Sequence, residues 1–391
     1  GMDPLEFRYI NVARPGDLNL NSYPFKEYPM EEMLNRMRPL YQAALAKAKA
    51  ESTDQVKHGV GIVMGGFNNT LSTHDHAEVA LELNPNGSVT NFNTWEDQGQ
   101  GGDIGTVALT HEALKPLGLR VDQINFCMND SLLCPDTGIA AGSRCHFMGG
   151  YATIDAANKL MNAMRKEDGT YRTYDEMVAE GFPTKYLGVY DCSSAGGCEL
   201  DPNTGVGDPV PSYMYGTFMA EVAVEVETGK VTCTGMTSIA DVGKLGNVLA
   251  VEGQAYSGLA HGINYALRNH YDYNNLEKSG TLAGAGMNYC EDTPDKIDLY
   301  FLEDERKYGP FGSAGCAECF QSSGHVAVLN AIYNAVGARI YELPATPEKV
   351  KAAMEAKAQG RDATPKKYYL GPDMYDEIER IQAHPVYWSE G

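Results

Sequence analysis

Apolar residues recur at helical intervals in some stretches of the chain and alternate or cluster in shorter runs in others, and the two periods predict different elements. Residues 30–50 carry Met33, Met37, Leu40, Ala44 and Ala48 on one helical stripe. Pro39 is expected to kink or break that helix. A shorter helix is expected over 4–12, and a connector rich in Pro, Gly and Asn separates the two. Residues 1–57 therefore read as a helical arm at a domain edge, too short to bury a core of its own. Strand patterning starts at His58, with an apolar run over 60–66. Residues 77–83, the turn Asn84-Pro85-Asn86-Gly87 and residues 88–94 read as strand, turn and strand. A helix over 104–117, a strand over 123–128, a small-residue loop over 135–143 and a helix over 144–165 follow. After a loop-rich middle, residues 220–227 and 231–239 flank Thr228-Gly229-Lys230 as a hairpin. Then come a helix over 249–267, a strand over 296–302 and a helix over 324–337. The tail, 344–391, is polar, with one short helix and an aromatic pair at Tyr387 and Trp388. Helices and strands mix without strict alternation, which predicts an α+β fold.

Charge and composition narrow the function. A net charge of -21 argues against nucleic-acid or anionic-membrane partners, which need a basic surface. No apolar run approaches the ~20 residues that span a bilayer. The N-terminus has no basic region followed by an apolar one, so no signal peptide is expected, and Gly1 ahead of Met2 reads as the remnant of a tag. Nine scattered cysteines fit reduced thiols in a cytoplasm better than a disulfide framework.

The candidate chemistry sits in glycine-rich loops. Residues 98–103, 137–145 and 312–318 each place small residues ahead of a helix, where backbone N–H groups can face an anion. Gln100 and Gln254 add neutral amide donors beside small residues. Together they suggest a polyanionic ligand with a heterocycle; the competing reading is turn glycines with solvated glutamines. Glu318 follows the third small-residue run and precedes an apolar helix, where helix dipole and desolvation oppose each other. A carboxylate so placed suits a general base. On a strand, His74, His76 and Glu78 would share one face, but a polar strand edge is the preferred reading and no metal ligand is assigned. Cys316 and Cys319 have C-x-x-C spacing, and Cys192 and Cys198 share a loop; reduced thiols are expected in both. Arg144 at a helix start is placed to serve an anion, and Cys145 reads as packing. No G-x-S-x-G, Walker A or H-E-x-x-H motif is present.

At these loops the sequence resembles the molybdopterin-binding large subunit of the xanthine dehydrogenase/aldehyde oxidoreductase family, especially bacterial aldehyde oxidoreductases. The matching residues are Asp3-Pro4-Leu5-Glu6-Phe7-Arg8, Asp97-Gln98-Gly99-Gln100-Gly101-Gly102, Gly138-Ile139-Ala140-Ala141-Gly142-Ser143-Arg144, Val251-Glu252-Gly253-Gln254, residues 309–323, and Glu342-Leu343-Pro344-Ala345-Thr346-Pro347. The resemblance implies a molybdenum hydroxylase that oxidises an aldehyde or N-heterocycle with water-derived oxygen. Its cofactor would be molybdopterin with molybdenum, in bacterial members the cytosine dinucleotide form, and no side chain would ligate the metal. Glu318 would be the base. Gln98, Gly99, Gln100, Gly101 and Gln254 would contact the pterin or its phosphates. Ala140, Ala141, Gly142, Ser143, Arg144 and Cys145 would wrap the cofactor, with Ala141 near the metal.

The resemblance also implies a molybdopterin-binding domain of two subdomains, about 58–210 and 211–391. Large subunits of the family are longer than this chain. The half carrying a glycine–phenylalanine loop over the metal, a substrate-orienting arginine and a further glutamine has no counterpart here, nor do iron–sulfur and flavin domains. Expected partners are therefore a separate N-terminal half and an iron–sulfur, and in some members a flavin, subunit, with a homo-oligomer in keeping with family dimers. Met2 is compatible with a gene that starts there and equally with a designed fragment. The isolated chain is expected to be inactive. The alternative is a truncated, non-catalytic remnant or cofactor-free binding module.

Overall fold

Asp3 accepts hydrogen bonds from the Leu5 and Glu6 amides, and Pro4 occupies the first helical position, where a missing N–H costs little. In the computed structural model, which describes residues 1–69, 75–128, 130–195 and 199–361 with Arg380 and Ala383, this start gives α1 (Pro4–Asn11). It is followed by α2 (Met30–Glu51), β1 (Val56–Asn68), β2 (His76–Leu83), β3 (Val89–Phe92) and α3 (Gly102–Ala113). Next come β4 (Ile124–Cys127), α4 (Arg144–Met164), α5 (Tyr174–Ala179) and β5 (Lys185–Asp191). The remainder is β6 (Tyr213–Glu225), β7 (Val231–Asp241), α6 (Val248–Leu267), α7 (Leu276–Ser279), β8 (Ile297–Leu302), α8 (Ala317–Val336) and α9 (Pro347–Ala358). The α+β class stands, with two mixed sheets.

The larger sheet has the order β1-β6-β7-β8, antiparallel except for the β7–β8 pair. Period-two alternation divides its side chains between two cores. On one face, Val60, Ile62, Met219 and Ile239 meet Met33, Met37 and Tyr41 of α2. On the other, Phe218, Val222 and Met236 meet Leu259 of α6 and Phe320, Val328 and Ile332 of α8. The arm is thus one layer of this sheet's sandwich. Pro39 does not break helix α2, which runs on to Glu51. The smaller sheet, β4-β3-β2-β5, carries the predicted hairpin of β2 and β3 and is covered by α4 through Ala152, Ala156 and Leu160.

The expected cut at residue 210 does not follow the sheets. Strand β1 pairs along its full length with β6, so the segment holding β2 to β5 is inserted between two neighbouring strands of the larger sheet. The two crossings touch: the Asn69 amide donates to the Ser212 carbonyl at 3.2 Å, and Asn69 Nδ2 donates to Ser212 Oγ at 3.0 Å. Helix α8 starts at Ala317 rather than at 324, which puts Glu318 inside its first turn. The loop-rich middle contains α5 and β5. Tyr387 and Trp388 lie outside the described residues.

Candidate functional site

The loop ahead of Glu318 is pinned before the helix begins. Asp241, at the end of β7, is fully buried and accepts from Arg306 Nη1 at 3.0 Å and from the Gly243 amide at 2.9 Å. Burial pushes Asp241 up to about 6 against the opposing pull of Arg306. Arg306 Nε also donates to the Tyr213 carbonyl. The Ala314 amide donates to the Val242 carbonyl at 2.7 Å, and the Arg306 and Lys244 amides share the Gly312 carbonyl. Residues 306–314 are therefore tied to the end of β7, and α8 starts from a fixed point.

Glu318 meets the second glycine loop directly. The Ser143 amide donates to Glu318 Oε1 at 3.1 Å and Ser143 Oγ donates to Oε2 at 2.7 Å. Ser143 makes both bonds from a left-handed conformation, φ 58°, at the cap of α4. Gly315 lies flat against it: a Cβ there would fall 2.0 Å from Ser143 Cβ and 3.0 Å from Asn69 Oδ1, so no side chain fits. A second link joins the same segments. Ser313 Oγ donates its one proton to the Pro310 carbonyl at 2.6 Å, so the 2.5 Å contact with His146 Nε2 has the imidazole N–H as donor. Burial holds His146 down at about 4, and the ring is neutral at pH 7.

Within the second loop, Arg144 turns inward. Its guanidinium is buried on Asp75, with Nε–Oδ2 2.7 Å and Nη2–Oδ1 2.6 Å, and donates further to the Ile139 and His76 carbonyls. This charge ties loop to strand. The N–H groups of Ala140, Ala141 and Gly142 donate to no protein acceptor among the described residues. Ala141 is exposed and Ala140 and Gly142 half-buried. Cys145 is half-buried, and burial pushes its thiol up to about 12.

The first loop supplies its own anion. Asp97 Oδ1 accepts from the Gly99 and Gly101 amides and Oδ2 from the Asp103 amide, and these bonds pull its carboxyl below the ordinary range. Gln100 Nε2 donates to the Glu96 carbonyl at 2.7 Å, and Gln100 Oε1 accepts from the Gln98 amide at 2.6 Å. Gln98 and Gly99 are exposed, and Gly101 caps α3 with φ 88°. Reciprocal bonds between Thr94 and Thr137, 3.0 and 3.1 Å, join the bases of the first and second loops.

Gln254 sits in α6, which packs closely on α8. A Cβ on Gly258 would meet Phe320 and Gln321, and one on Gly262 would meet Gly324 and His325. The contacts advance together, so α6 and α8 run parallel. Half-buried Gln254 lies one turn ahead of Gly258 on α6, toward the end of the pair where α8 begins.

The remaining candidates are histidines and cysteines. His76 is exposed, with Nδ1 2.7 Å from Asp191 Oδ1 and Nε2 3.4 Å from Glu78 Oε1; His74 lies outside the described residues. Among the described residues no group of three His, Cys, Asp or Glu side chains is placed to hold a metal. Cys316 and Cys319 are free, and burial raises both thiols, Cys316 to about 12. Cys192 is buried against Met148, and Cys198 lies outside the described residues.

The molybdopterin cofactor-binding domain family matches residues 36–294, about two thirds of the chain. The chain belongs to that family. The match takes in the first two loops and Gln254 and ends before Glu318. An aldehyde oxidoreductase of Megalodesulfovibrio gigas is 46% identical over 356 residues, covering 91% of this chain and 39% of that protein. Among solved structures, the aldehyde oxidoreductase from Desulfovibrio gigas superposes with a TM-score of 0.87 at 45% identity, covering 91% of this chain and 39% of the other. That from Desulfovibrio desulfuricans gives 0.86 at 43%, covering 90% and 38%. The chain thus spans about two fifths of the length of these relatives. Within the molybdopterin-binding fold, sequence reasoning missed three supports: Asp97 inside the first loop, the His146–Ser313 link, and the Asp241–Arg306 anchor. Of these only Asp97, an acid two residues ahead of a turn glycine, has a local signal.

Proposed function

We propose that this chain forms one side of a molybdopterin site in a molybdenum hydroxylase acting on an aldehyde or N-heterocycle, with Glu318 as the proton acceptor. The observation that carries it is the pair of hydrogen bonds from Ser143 to Glu318, which holds one carboxylate against a glycine loop whose preceding N–H groups are unspent. These residues fit the cofactor: backbone N–H groups at Ala140, Ala141 and Gly142 and the amide of Gln254 offer neutral donors to an anionic group. The bound cofactor would supply, through its molybdenum, the two-electron acceptor of the oxidation.

The chain's own residues then bind, orient and move a proton. Each Glu318 oxygen keeps lone-pair capacity beyond its Ser143 bond, so the carboxylate can take a proton from a water-derived hydroxyl while anchored. Gly142 is the last of the unspent donors, Ser143 and Cys145 follow it and set the loop's path, and Arg144 acts from behind by fixing it to Asp75. Gln98, Gly99, Gln100 and Gly101 are assigned to the cofactor's polar end. Gln100 reaches it by giving up its bonds to Glu96 and Gln98. The cytosine dinucleotide form is proposed on the resemblance to bacterial members alone. The chain spans about two fifths of its relatives, and the rest of the pocket and an iron–sulfur electron acceptor are assigned to other domains or subunits.

The test is to produce the chain alone and together with the portion that the gigas relative has and this chain lacks, then measure molybdenum, pterin fluorescence and aldehyde turnover. The pair is expected to hold both, and Glu318→Gln to keep the metal while losing turnover. The chain alone is expected to turn over nothing. Absence of molybdenum and pterin from both preparations would leave a cofactor-free binding module as the reading.

A further inference from the structure

Cys127 closes β4, the edge strand of the smaller sheet, and Cys134 sits in the loop that follows. The loop turns on Asp130. Its Oδ1 accepts from the Leu132 and Leu133 amides and its carbonyl from the Cys134 amide at 2.9 Å. That turn carries Cys134 back onto the strand end. The two sulfurs lie 3.8 Å apart, and Cys134 Sγ is 3.2 Å from the Cys127 carbonyl. Both residues are half-buried and both thiols are free. Of the other described cysteines, Cys192, Cys233 and Cys319 are buried, Cys145 and Cys316 half-buried and Cys290 exposed.

The geometry points to a reversible dithiol–disulfide site at Cys127 and Cys134, oxidised by small-molecule disulfides. One protein thiolate attacks a sulfur of oxidised glutathione, forming a mixed disulfide and releasing one glutathione thiolate. The second protein thiolate attacks the protein-side sulfur, forming the Cys127–Cys134 bond and releasing the other. The protein gives up two electrons and two protons, and two glutathione thiols carry them away. The sulfurs, 3.8 Å apart, have to close to a bond of about 2 Å.

Closure acts on the loops next door. Three residues past Cys134, Thr137 makes the reciprocal bonds to Thr94 that join the bases of loops 97–103 and 137–145. The Cys127 carbonyl also accepts from the Asn93 amide at 3.1 Å. A bond between the cysteines ties both ends of this crossing and restrains the two loops together. The site stands on its own geometry and does not depend on the cofactor reading.

The experiment uses the full chain, folded, in excess oxidised glutathione at pH 8, followed by alkylation and non-reducing peptide mapping. The expected product is a peptide pair linked through Cys127 and Cys134, reversed by reduced glutathione. Cys127→Ser and Cys134→Ser each lose the link and leave a glutathione adduct on the remaining thiol. Amide exchange at Thr94 and Thr137 is expected to slow several-fold on oxidation. Full alkylation of both thiols under conditions that modify Cys290 would overturn the site, as would a link that appears only in urea. Unchanged exchange in the oxidised chain would overturn the coupling to the loops.

Discussion

Glu318 has its two carboxylate oxygens engaged by one residue, so its aim depends on Ser143. Ser143→Ala removes the hydroxyl bond and keeps the amide bond. It is expected to cost about 1 kcal/mol in a urea melt and, in the assembled enzyme, to lower kcat more than it changes KM. Gly315→Ala drives a methyl into Ser143 and is expected to cost more, about 1–3 kcal/mol. His146 gives a pH signature. Its ring titrates near 4 folded against 6.5 unfolded, so the unfolded chain binds the extra proton between those values. Stability from the neutral ring is present above pH 6.5 and is lost as pH falls toward 4, by about 3 kcal/mol at most. Urea midpoints across pH 4–7 check this, and His146→Gln is expected to flatten that limb. The position of Glu318 after small residues was legible in the chain; its partner was not, because Ser143 lies 175 residues away. Arg144 shows the converse. A helix-start arginine reads as an anion ligand, and only the tertiary fold brings Asp75 to it from 69 residues upstream.

Elements were legible where their inward faces carry large apolar side chains. Helix α2 buries Met33, Leu34, Met37 and Tyr41, and that burial outweighs the cost of about 3 kcal/mol that an interior proline brings. Strand β5 was not legible because its inward position is Gly188, where a Cβ would fall 2.0 Å from the Ala152 carbonyl. Tyr186 and Tyr190 pack inward on either side of it, so the central glycine leaves a gapped hydrophobic period to read. The same close approach sets a prediction for α4. A Cβ on Gly149 would fall 1.4 Å from the buried Trp95 ring, so Gly149→Ala is expected to destabilise by about 3 kcal/mol or more. Loss of the Trp95 fluorescence signature at lower urea than in the parent chain is the measurement.

At the scale of the molecule, the mixed α+β class followed from the order of the periods, whereas the nesting of one sheet within the other did not. Which strands pair across a long separation is set by side-chain fit between faces, and β1 and β6 are ordinary apolar strands in the sequence. Their pairing across the inserted segment gives that segment a narrow neck, clasped by Asn69 and Ser212. A polypeptide whose two ends already touch is a removable module. Deleting residues 76–207 and bridging the gap with a short glycine-serine linker is expected to leave a soluble protein that keeps the four-stranded sheet and its two helical layers, seen as a cooperative melt by circular dichroism. The same neck makes the loop cluster a natural place to graft: a segment of different chemistry could be hung on this sheet, facing Glu318, without rewriting the scaffold that holds the acid.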